Sequence, residues 1–262
     1  MPYAISVTLV VLVWAAVVYL NERHGLLSCD RFASPVLKYV AYAWLGAFLV
    51  LMAVLVTSSA LSPVTAKQLA TTPFYSLFLL HVILIVFLLG WWALSGRPSL
   101  REFLNIRHER PAEVVAIGLA VGVGGWIFTI IMALLVALLL KSVGVLEEPP
   151  QPPPMIGWMA ALPIWKKALI ILSAMTIEEA FFRSFLQKRV GLLASTILFA
   201  LAHFTYGNPL LLIGVSVISL VIGATFYRTK NVIPGVLAHG VFDAVQLFVI
   251  VPIAFRVMGA GG

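Results

Sequence analysis

The chain has 262 residues, of which 62% are hydrophobic and only 10% are charged. A soluble domain carries about 25% charged residues, whereas this chain has a mean hydropathy of +1.07. The composition excludes an ordinary soluble protein and predicts an all-α, polytopic membrane helical bundle. The net charge of +7 does not indicate nucleic-acid binding, because the basic residues lie mostly between apolar runs, where they orient helices.

About 20 apolar residues in a helix cross the hydrocarbon core of a membrane. We therefore expect about eight transmembrane helices, over residues 2–20, 36–61, 74–95, 113–140, 167–187, 191–207, 209–227 and 232–255. The first run has no basic segment before it and no clear cleavage site after it, so we expect an uncleaved span rather than a signal peptide. The sixth and seventh runs are short and nearly continuous, which predicts a tight helical hairpin or a partly re-entrant pair.

Basic residues are distributed unevenly between the two sets of loops. Eleven lie after spans one, three, five and seven: Arg23, Arg31, Lys38, Arg97, Arg101, Arg107, Arg110, Lys188, Arg189, Arg228 and Lys230. Five lie in the other loops: Lys67, Lys141, Lys166, Lys167 and Arg256. Because cytoplasmic loops are enriched in Lys and Arg, we expect both termini outside. The predicted location is a membrane, with the bacterial plasma membrane as the expected one.

Two loops have distinctive compositions. Leu100–Arg110 mixes apolar and basic residues, which indicates either a short interfacial helix or a positively charged loop. The proline-rich segment Glu147–Pro154 predicts a stiff linker. It divides an N-terminal four-span region, residues 1–163, from a second membrane region, residues 164–262. Cys29 is the single cysteine, so an intrachain disulfide and a cysteine-based metal site are excluded.

The most informative polar group is Glu178-Glu179 followed by Arg183, because charged residues at membrane depth are costly and usually functional. Residues four apart lie about 40° apart around a helix, so Glu179 and Arg183 share a face. We expect these two to form a buried ion pair. Glu178 points elsewhere and has no local counter-charge, which suits a general base. The alternative interpretation is that all three residues form one structural ion cluster that holds helices in register.

Two further polar groups follow in the same half of the chain. His203 ends a helical-looking run that contains Phe199, and His239 and Asp243 are four residues apart. Taken alone, His203 is typical of a buried core histidine, and a His239–Asp243 hydrogen bond is typical of a structural lock between helices. We assign no role to the remaining histidines: His24 and His108 lie in charged loops, and His81 is interpreted as a packing or interfacial residue.

The combined set is more informative than its parts. Glu178, Glu179, Arg183, His203, His239 and Asp243 lie on three separate spans in apolar surroundings. Each would be costly to expose to lipid, so we expect them to converge on one polar cavity. A carboxylate base with histidines in a partly dry cavity suits water-mediated amide hydrolysis.

In this order, the three motifs resemble those of the CAAX protease and bacteriocin-processing (CPBP) family of intramembrane endopeptidases, also called Abi or type II CAAX endopeptidase-like. The motifs are Glu178-Glu179-x-x-x-Arg183, Phe199-x-x-x-His203 and His239-x-x-x-Asp243. The resemblance covers about Pro163–Pro252, and the first half of the chain is similar to family members only in spanning a membrane.

The resemblance implies an eight-helix fold around a water-filled cavity. It further implies that Glu178 and His203 activate the attacking water, that His239 and Asp243 stabilise the oxyanion, and that Glu179 and Arg183 organise the site. The family motif admits Asn or Asp at the last position. An ionised Asp cannot donate a hydrogen bond to an oxyanion, so we expect Asp243 to orient His239 instead.

The ligand types Glu178, His203 and His239 match a His₂Glu zinc site, but the chain has no His-Glu-x-x-His motif. We therefore favour a metal-free, glutamate-activated water and keep zinc as the alternative cofactor.

The expected partners are a peptide or protein substrate at the membrane and the lipid bilayer; no nucleic acid is expected. Two other functions use similar residues. Buried Glu, His and Asp also build proton relays, so a proton-coupled transporter is one alternative. A non-catalytic membrane maturation or immunity factor is the other. Transport predicts solute or proton flux, whereas proteolysis predicts a cleaved peptide.

Overall fold

The computed structural model describes residues 1–25, 30–62, 65–107, 110–145, 153–204 and 208–259. Within these ranges the chain is helical and contains no β-strand. The helices are α1 (Pro2–His24), α2 (Pro35–Leu61), α3 (Ala66–Thr71), α4 (Leu79–Leu94, after a 3₁₀ segment Phe74–Phe78), α5 (Leu100–Phe103), α6 (Pro111–Ser142), α7 (Pro154–Ala161), α8 (Ile164–Ser173), α9 (Lys188–Ala202), α10 (Pro209–Thr229), α11 (Ile233–Val245) and α12 (Val251–Gly259). Several helices begin with proline, whose fixed φ suits the first turn.

In the described part of the chain, six helices are long and apolar enough to cross a membrane: Pro2–His24, Pro35–Leu61, Phe74–Leu94, Pro111–Ser142, Leu210–Thr229 and Ile233–Arg256. They agree closely with six of the predicted spans, so the prediction of a polytopic helical bundle is confirmed and the protein is an integral membrane protein. The count of eight is not confirmed.

The remaining two predicted spans differ from a regular membrane helix. The fifth is α8, which continues as π-helix over Ala174–Glu178 and Ala180–Gln187. The sixth is the short helix α9, which ends at Ala202 and is interrupted near its start by Gly191 with a φ of 81°. That positive φ suits glycine because a Cβ is unfavourable there. The chain therefore leaves helical geometry at His203, four residues before the predicted end.

Helix α5 is a single turn, capped at its start by the Ser99 hydroxyl, which accepts from the Glu102 amide. Phe103 is buried, so this turn docks onto the bundle rather than extending as an interfacial helix over the whole predicted segment. His108, Cys29 and most of the proline-rich linker lie outside the described residues.

Aromatic side chains attach the helix of the first motif to the N-terminal helices. The Phe48 ring of α2 stacks on Phe87 of α4, with centroids 4.1 Å apart. Phe87 in turn meets Phe185 edge-on at 5.1 Å, and Trp91 meets the same ring at 5.2 Å. Such pairs contribute about 0.5–1.5 kcal/mol each beyond burial. The two predicted regions therefore share one aromatic core.

Glycines bring α6 against α11, the helix that carries His239. A Cβ built on Gly118 would lie 2.6 Å from Leu237 Cβ, and one on Gly122 would lie 2.7 Å from Val241 Cβ. Small residues let membrane helices approach closely without a large apolar driving force. This contact fixes α11 relative to the rest of the bundle.

Loops that the charge distribution predicts on one side meet at one end of the bundle. Asp30 forms a buried ion pair with Arg189 and accepts from Trp91 Nε1 at 3.1 Å. The Arg107 amide donates to Asn231 Oδ1 at 3.1 Å. These contacts place the loops after α1, α4, α10 and the π-helix together, while the orientation of the termini stays a prediction.

Candidate active site

Glu178, Glu179 and Arg183 lie on the π-helical continuation of α8. In this segment, π geometry runs over Ala174–Glu178 and again over Ala180–Gln187, with Glu179 between them. Stretches of π-helix are rare and frequently mark functional sites. Here the segment directs the two adjacent carboxylates to two different sets of partners.

Glu179 is completely buried and bridges two motifs. Its Oε2 lies 3.0 Å from Arg183 Nε, and its Oε1 lies 2.9 Å from Nδ1 of His239. Arg183, which is also fully buried, donates from a terminal nitrogen to the Ser219 hydroxyl at 3.1 Å. The i,i+4 spacing predicts the pair with Arg183, whereas the bond to His239 on α11 has no local signal in the sequence.

Glu178 points away from this pair. Its Oε1 lies 3.2 Å from Nε2 of His81, and its Oε2 lies 4.0 Å from Nε2 of His203. Among the described residues, Oε2 is buried and has no hydrogen-bond partner. The carboxylate is thus held through one oxygen and directs the other toward the histidine of the second motif.

His203 lies just beyond the end of α9. Its Nδ1 is 2.8 Å from the Phe199 carbonyl oxygen. A carbonyl only accepts hydrogen bonds, so Nδ1 carries the hydrogen, and in the neutral ring Nε2 presents its lone pair toward Glu178. The bond fixes both the ring direction and the tautomer.

Phe199 occupies the centre of the constellation. Its ring lies 4.6 Å from that of His203 and 6.1 Å from that of His239, and the Arg183 guanidinium stands 5.3 Å over it. A buried aromatic ring excludes water and attracts a cation placed over its face. The ring therefore contacts the buried Arg183 and the histidines of the second and third motifs.

His239 lies between two carboxylates. Nδ1 meets Glu179, and Nε2 lies 3.4 Å from Oδ2 of Asp243. Both contacts are satisfied when both ring nitrogens carry hydrogen. Two carboxylates, an imidazolium and the Arg183 guanidinium then form a charge-balanced chain. Asp243, with a side chain 25% exposed, is its most accessible member.

The second histidine at Glu178 is His81 of α4, for which the sequence predicts no role. The Ser173 hydroxyl lies 2.8 Å from its Nδ1, and its side chain is only 12% exposed. An ionisable group in an apolar span is costly, and this criterion identifies the other site residues. The same criterion applies to His81. His24, by contrast, is exposed at the end of α1.

Glu178, His203 and His239 do not fit the alternative zinc site. Both nitrogens of His239 face carboxylates. With metal–ligand bonds of about 2.0–2.2 Å, the 4.0 Å between Glu178 Oε2 and His203 Nε2 would require an angle of roughly 130–180°, far from tetrahedral. Across the described ranges, no three His, Cys, Asp or Glu residues are grouped to hold a metal.

Residues 160–245 match the family model described as type II CAAX prenyl endopeptidase Rce1-like. This match confirms the resemblance carried by the three motifs, over about a third of the chain. It includes Glu178, His203, His239 and Asp243 but not His81. The family supports an intramembrane protease of the CAAX endopeptidase type.

One curated relative is the uncharacterized protein YpbD of Bacillus subtilis (strain 168), 39% identical over 69 residues. The aligned segment covers 26% of this chain and 36% of that protein, so the chain spans about a third of the length of the relative it matches. No solved structure matches the chain.

Proposed function

We propose that the protein is an intramembrane endopeptidase that hydrolyses a peptide bond of a membrane-associated peptide or protein. The observation that carries the proposal is the pair of atoms Glu178 Oε2 and His203 Nε2, which face each other 4.0 Å apart inside the helical bundle. The match to the Rce1-like endopeptidases supports the same reaction.

The separation of these two atoms suits one water molecule. A water oxygen about 2.8 Å from both could donate one hydrogen to the carboxylate and one to the imidazole, with an angle of about 90° between the two bonds. Both hydrogens would then point toward the protein, and a lone pair would face away from them. That orientation prepares the oxygen for attack on a carbonyl carbon placed on the open side.

In the first step, the water oxygen bonds to the peptide carbonyl carbon while one water proton passes to Glu178. The electron pair of the carbonyl double bond moves to its oxygen, which becomes the oxyanion. When the tetrahedral intermediate collapses, the carbon–nitrogen bond breaks. The proton on Glu178 passes to the departing amine, and the carboxylate is regenerated.

His239 supplies the positive charge that stabilises the oxyanion. The contact between His239 Nε2 and Asp243 is long, at 3.4 Å. A substrate oxygen can therefore accept a hydrogen bond from the same Nε2–H group. Asp243 orients the ring, because an ionised carboxylate cannot itself donate a hydrogen bond to the oxyanion. Glu179 and Arg183 hold the ring from the buried side.

The reaction proceeds without a metal in this proposal, because the donors do not fit a tetrahedral ion. The expected location is a bacterial plasma membrane, which agrees with the bacterial source of the relative from Bacillus subtilis. The basic loops at one end of the bundle favour that end as the cytoplasmic side, with both termini outside.

The test compares the wild-type protein with Glu178→Gln in proteoliposomes containing two CAAX peptides of one sequence, with and without a prenyl group. Glutamine keeps the shape but cannot take a proton. We expect wild type to release a shortened peptide, detected by mass spectrometry, and Glu178→Gln to be about 10²–10⁴-fold slower while it unfolds at the same temperature. Equal rates for the two proteins would refute the assignment.

A further inference from the structure

We propose that His81 is a positioning residue for Glu178: it donates from Nε2 to Glu178 Oε1 and thereby fixes the direction of the second carboxylate oxygen. This inference rests on the proposed function of Glu178. It adds His81, a residue of the N-terminal region outside the matched family segment, to the proposed active site.

The contact is close and shielded. Nε2 of His81 lies 3.2 Å from Oε1, and the two side chains are only 12% and 13% exposed. An ionised carboxylate only accepts hydrogen bonds, so the hydrogen lies on the histidine nitrogen. Hydrogen bonds to charged groups are stronger than neutral ones, and shielding from water strengthens them further.

The second ring nitrogen is also held. The Ser173 hydroxyl lies 2.8 Å from Nδ1 of His81 and 3.3 Å from the Ile170 carbonyl oxygen, and when the ring is neutral its one hydrogen is donated to the closer Nδ1. Ser173 and Glu178 belong to one helical segment, five residues apart, and the ring spans them from α4. With a partner on each nitrogen, the imidazole can neither rotate nor move away without losing a contact.

The consequence for Glu178 is a single orientation. Its Oε1 is bound to His81, so its Oε2 points to the position 4.0 Å from His203 where the attacking water is proposed. A carboxylate without this bond can turn about its terminal torsion, and the proton acceptor then occupies the correct place for a smaller fraction of the time. Misplacement of a catalytic group by about 1 Å costs up to about 10²-fold in rate.

Helix α4 has packing contacts other than those of His81. This helix is anchored about two to three turns further along by Phe87 and Trp91, which pack against Phe185. A side chain of similar size should therefore fold at position 81 even when it cannot donate a hydrogen bond. His81→Leu removes the donor, whereas His81→Gln keeps an N–H close to the position of Nε2.

The experiment measures kcat, KM and the unfolding temperature for wild type, His81→Leu, His81→Gln, Ser173→Ala, the double variant Ser173→Ala/His81→Leu, and Glu178→Gln. The control is His24→Leu, the same substitution at an exposed histidine. We expect His81→Leu to lower kcat about 10- to 100-fold with little change in KM, and His81→Gln to recover most of that loss. Ser173→Ala should lower kcat less, and it should have no further effect in the double variant, because Ser173 acts through His81.

Several outcomes overturn the inference. If His81→Leu keeps the wild-type kcat while Glu178→Gln is inactive, His81 does not position Glu178, although the proposed function stands. If Glu178→Gln is fully active, the proposed function itself fails. If Ser173→Ala is inactive and a fluorophosphonate labels Ser173 in the wild type, the serine is a nucleophile. If zinc is stoichiometric in the wild type and lost in His81→Leu, the histidine is a metal ligand instead.

Discussion

Glu179 and His239 lie on different helices and are joined by a 2.9 Å contact between Oε1 and Nδ1. The bond links the first motif of the chain to the third, and Arg183 holds the other oxygen of the same carboxylate. Because Glu179 and His239 are both buried, a substitution at Glu179 leaves Arg183 and His239 without their shared negative partner.

We predict that Glu179→Ala and Arg183→Ala each destabilise the protein more than Glu178→Gln does. Each substitution leaves a buried charge without its partner, which costs about 3–5 kcal/mol in soluble proteins. The double variant should be milder than the sum of the two single variants. Thermal unfolding of these four variants in detergent tests both statements, and strictly additive losses would mean that Glu179 and Arg183 are not energetically coupled.

Asp243, the most exposed member of the chain of charged groups, gives a second prediction. Asp243→Asn should retain activity within about tenfold, because the amide oxygen can still accept from His239 Nε2. Asp243→Ala should lose more, since the ring is then held from one side alone. Comparison of kcat for the two variants tests this. Equal, complete loss in both would show that the negative charge itself is required.

The approach of α6 to α11 predicts a packing effect on the site. Gly122→Ala places a methyl group 2.7 Å from Val241 Cβ and 3.0 Å from the Ala238 carbonyl, neither of which can move freely. Overpacking of this kind costs about 1–3 kcal/mol, and it displaces the helix that carries His239. We expect a lower unfolding temperature and reduced cleavage.

Gly124→Ala is the matched control for this substitution. It is two residues further along the same helix, and its added methyl group meets no atom within 4 Å. Alanine favours the helix there by up to about 1 kcal/mol, so this variant should be as stable and active as wild type or slightly more stable. A similar loss in both variants would show that the effect comes from α6 itself rather than from its contact with α11.

Metal depletion tests the metal-free mechanism. We expect protein treated with a strong chelator to cleave peptide at the untreated rate, because proton transfer to Glu178 and the charge of His239 suffice. Element analysis and cleavage are measured on the same sample. Stoichiometric zinc whose removal stops cleavage and whose return restores it would replace the glutamate mechanism with a metal-dependent one.

Local periodicity explains most of what the sequence predicts. The long apolar runs identify the spans, and the four-residue spacings place Glu179 beside Arg183 and His239 beside Asp243. These features depend only on helix geometry and on the cost of charge in lipid. The convergence of the motifs follows from the same cost, without any knowledge of how the helices pack.

The partners of Glu178 and the shape of α9 depend on information that the local pattern does not contain. His81 is 97 residues from Glu178, and it reaches the carboxylate because the aromatic core fixes α4 against the π-helix. The end of α9 at Ala202 leaves the apolar Phe204 outside the helix, so hydropathy alone places the boundary too late. Both features follow from tertiary packing.

The length of α9 has a consequence for the surrounding lipid. Beyond its kink at Gly191, the regular part of α9 covers residues 192–202 and spans about 16 Å, less than the roughly 30 Å thickness of a hydrocarbon core, and its C-terminal end is followed directly by His203. A bilayer in contact with a helix this short becomes thinner beside it or admits its headgroups more deeply. Local thinning of the bilayer would bring the aqueous phase to the depth of His203. Hydrolysis consumes one water molecule per turnover at this depth. Beside the longer helices the bilayer keeps its normal thickness.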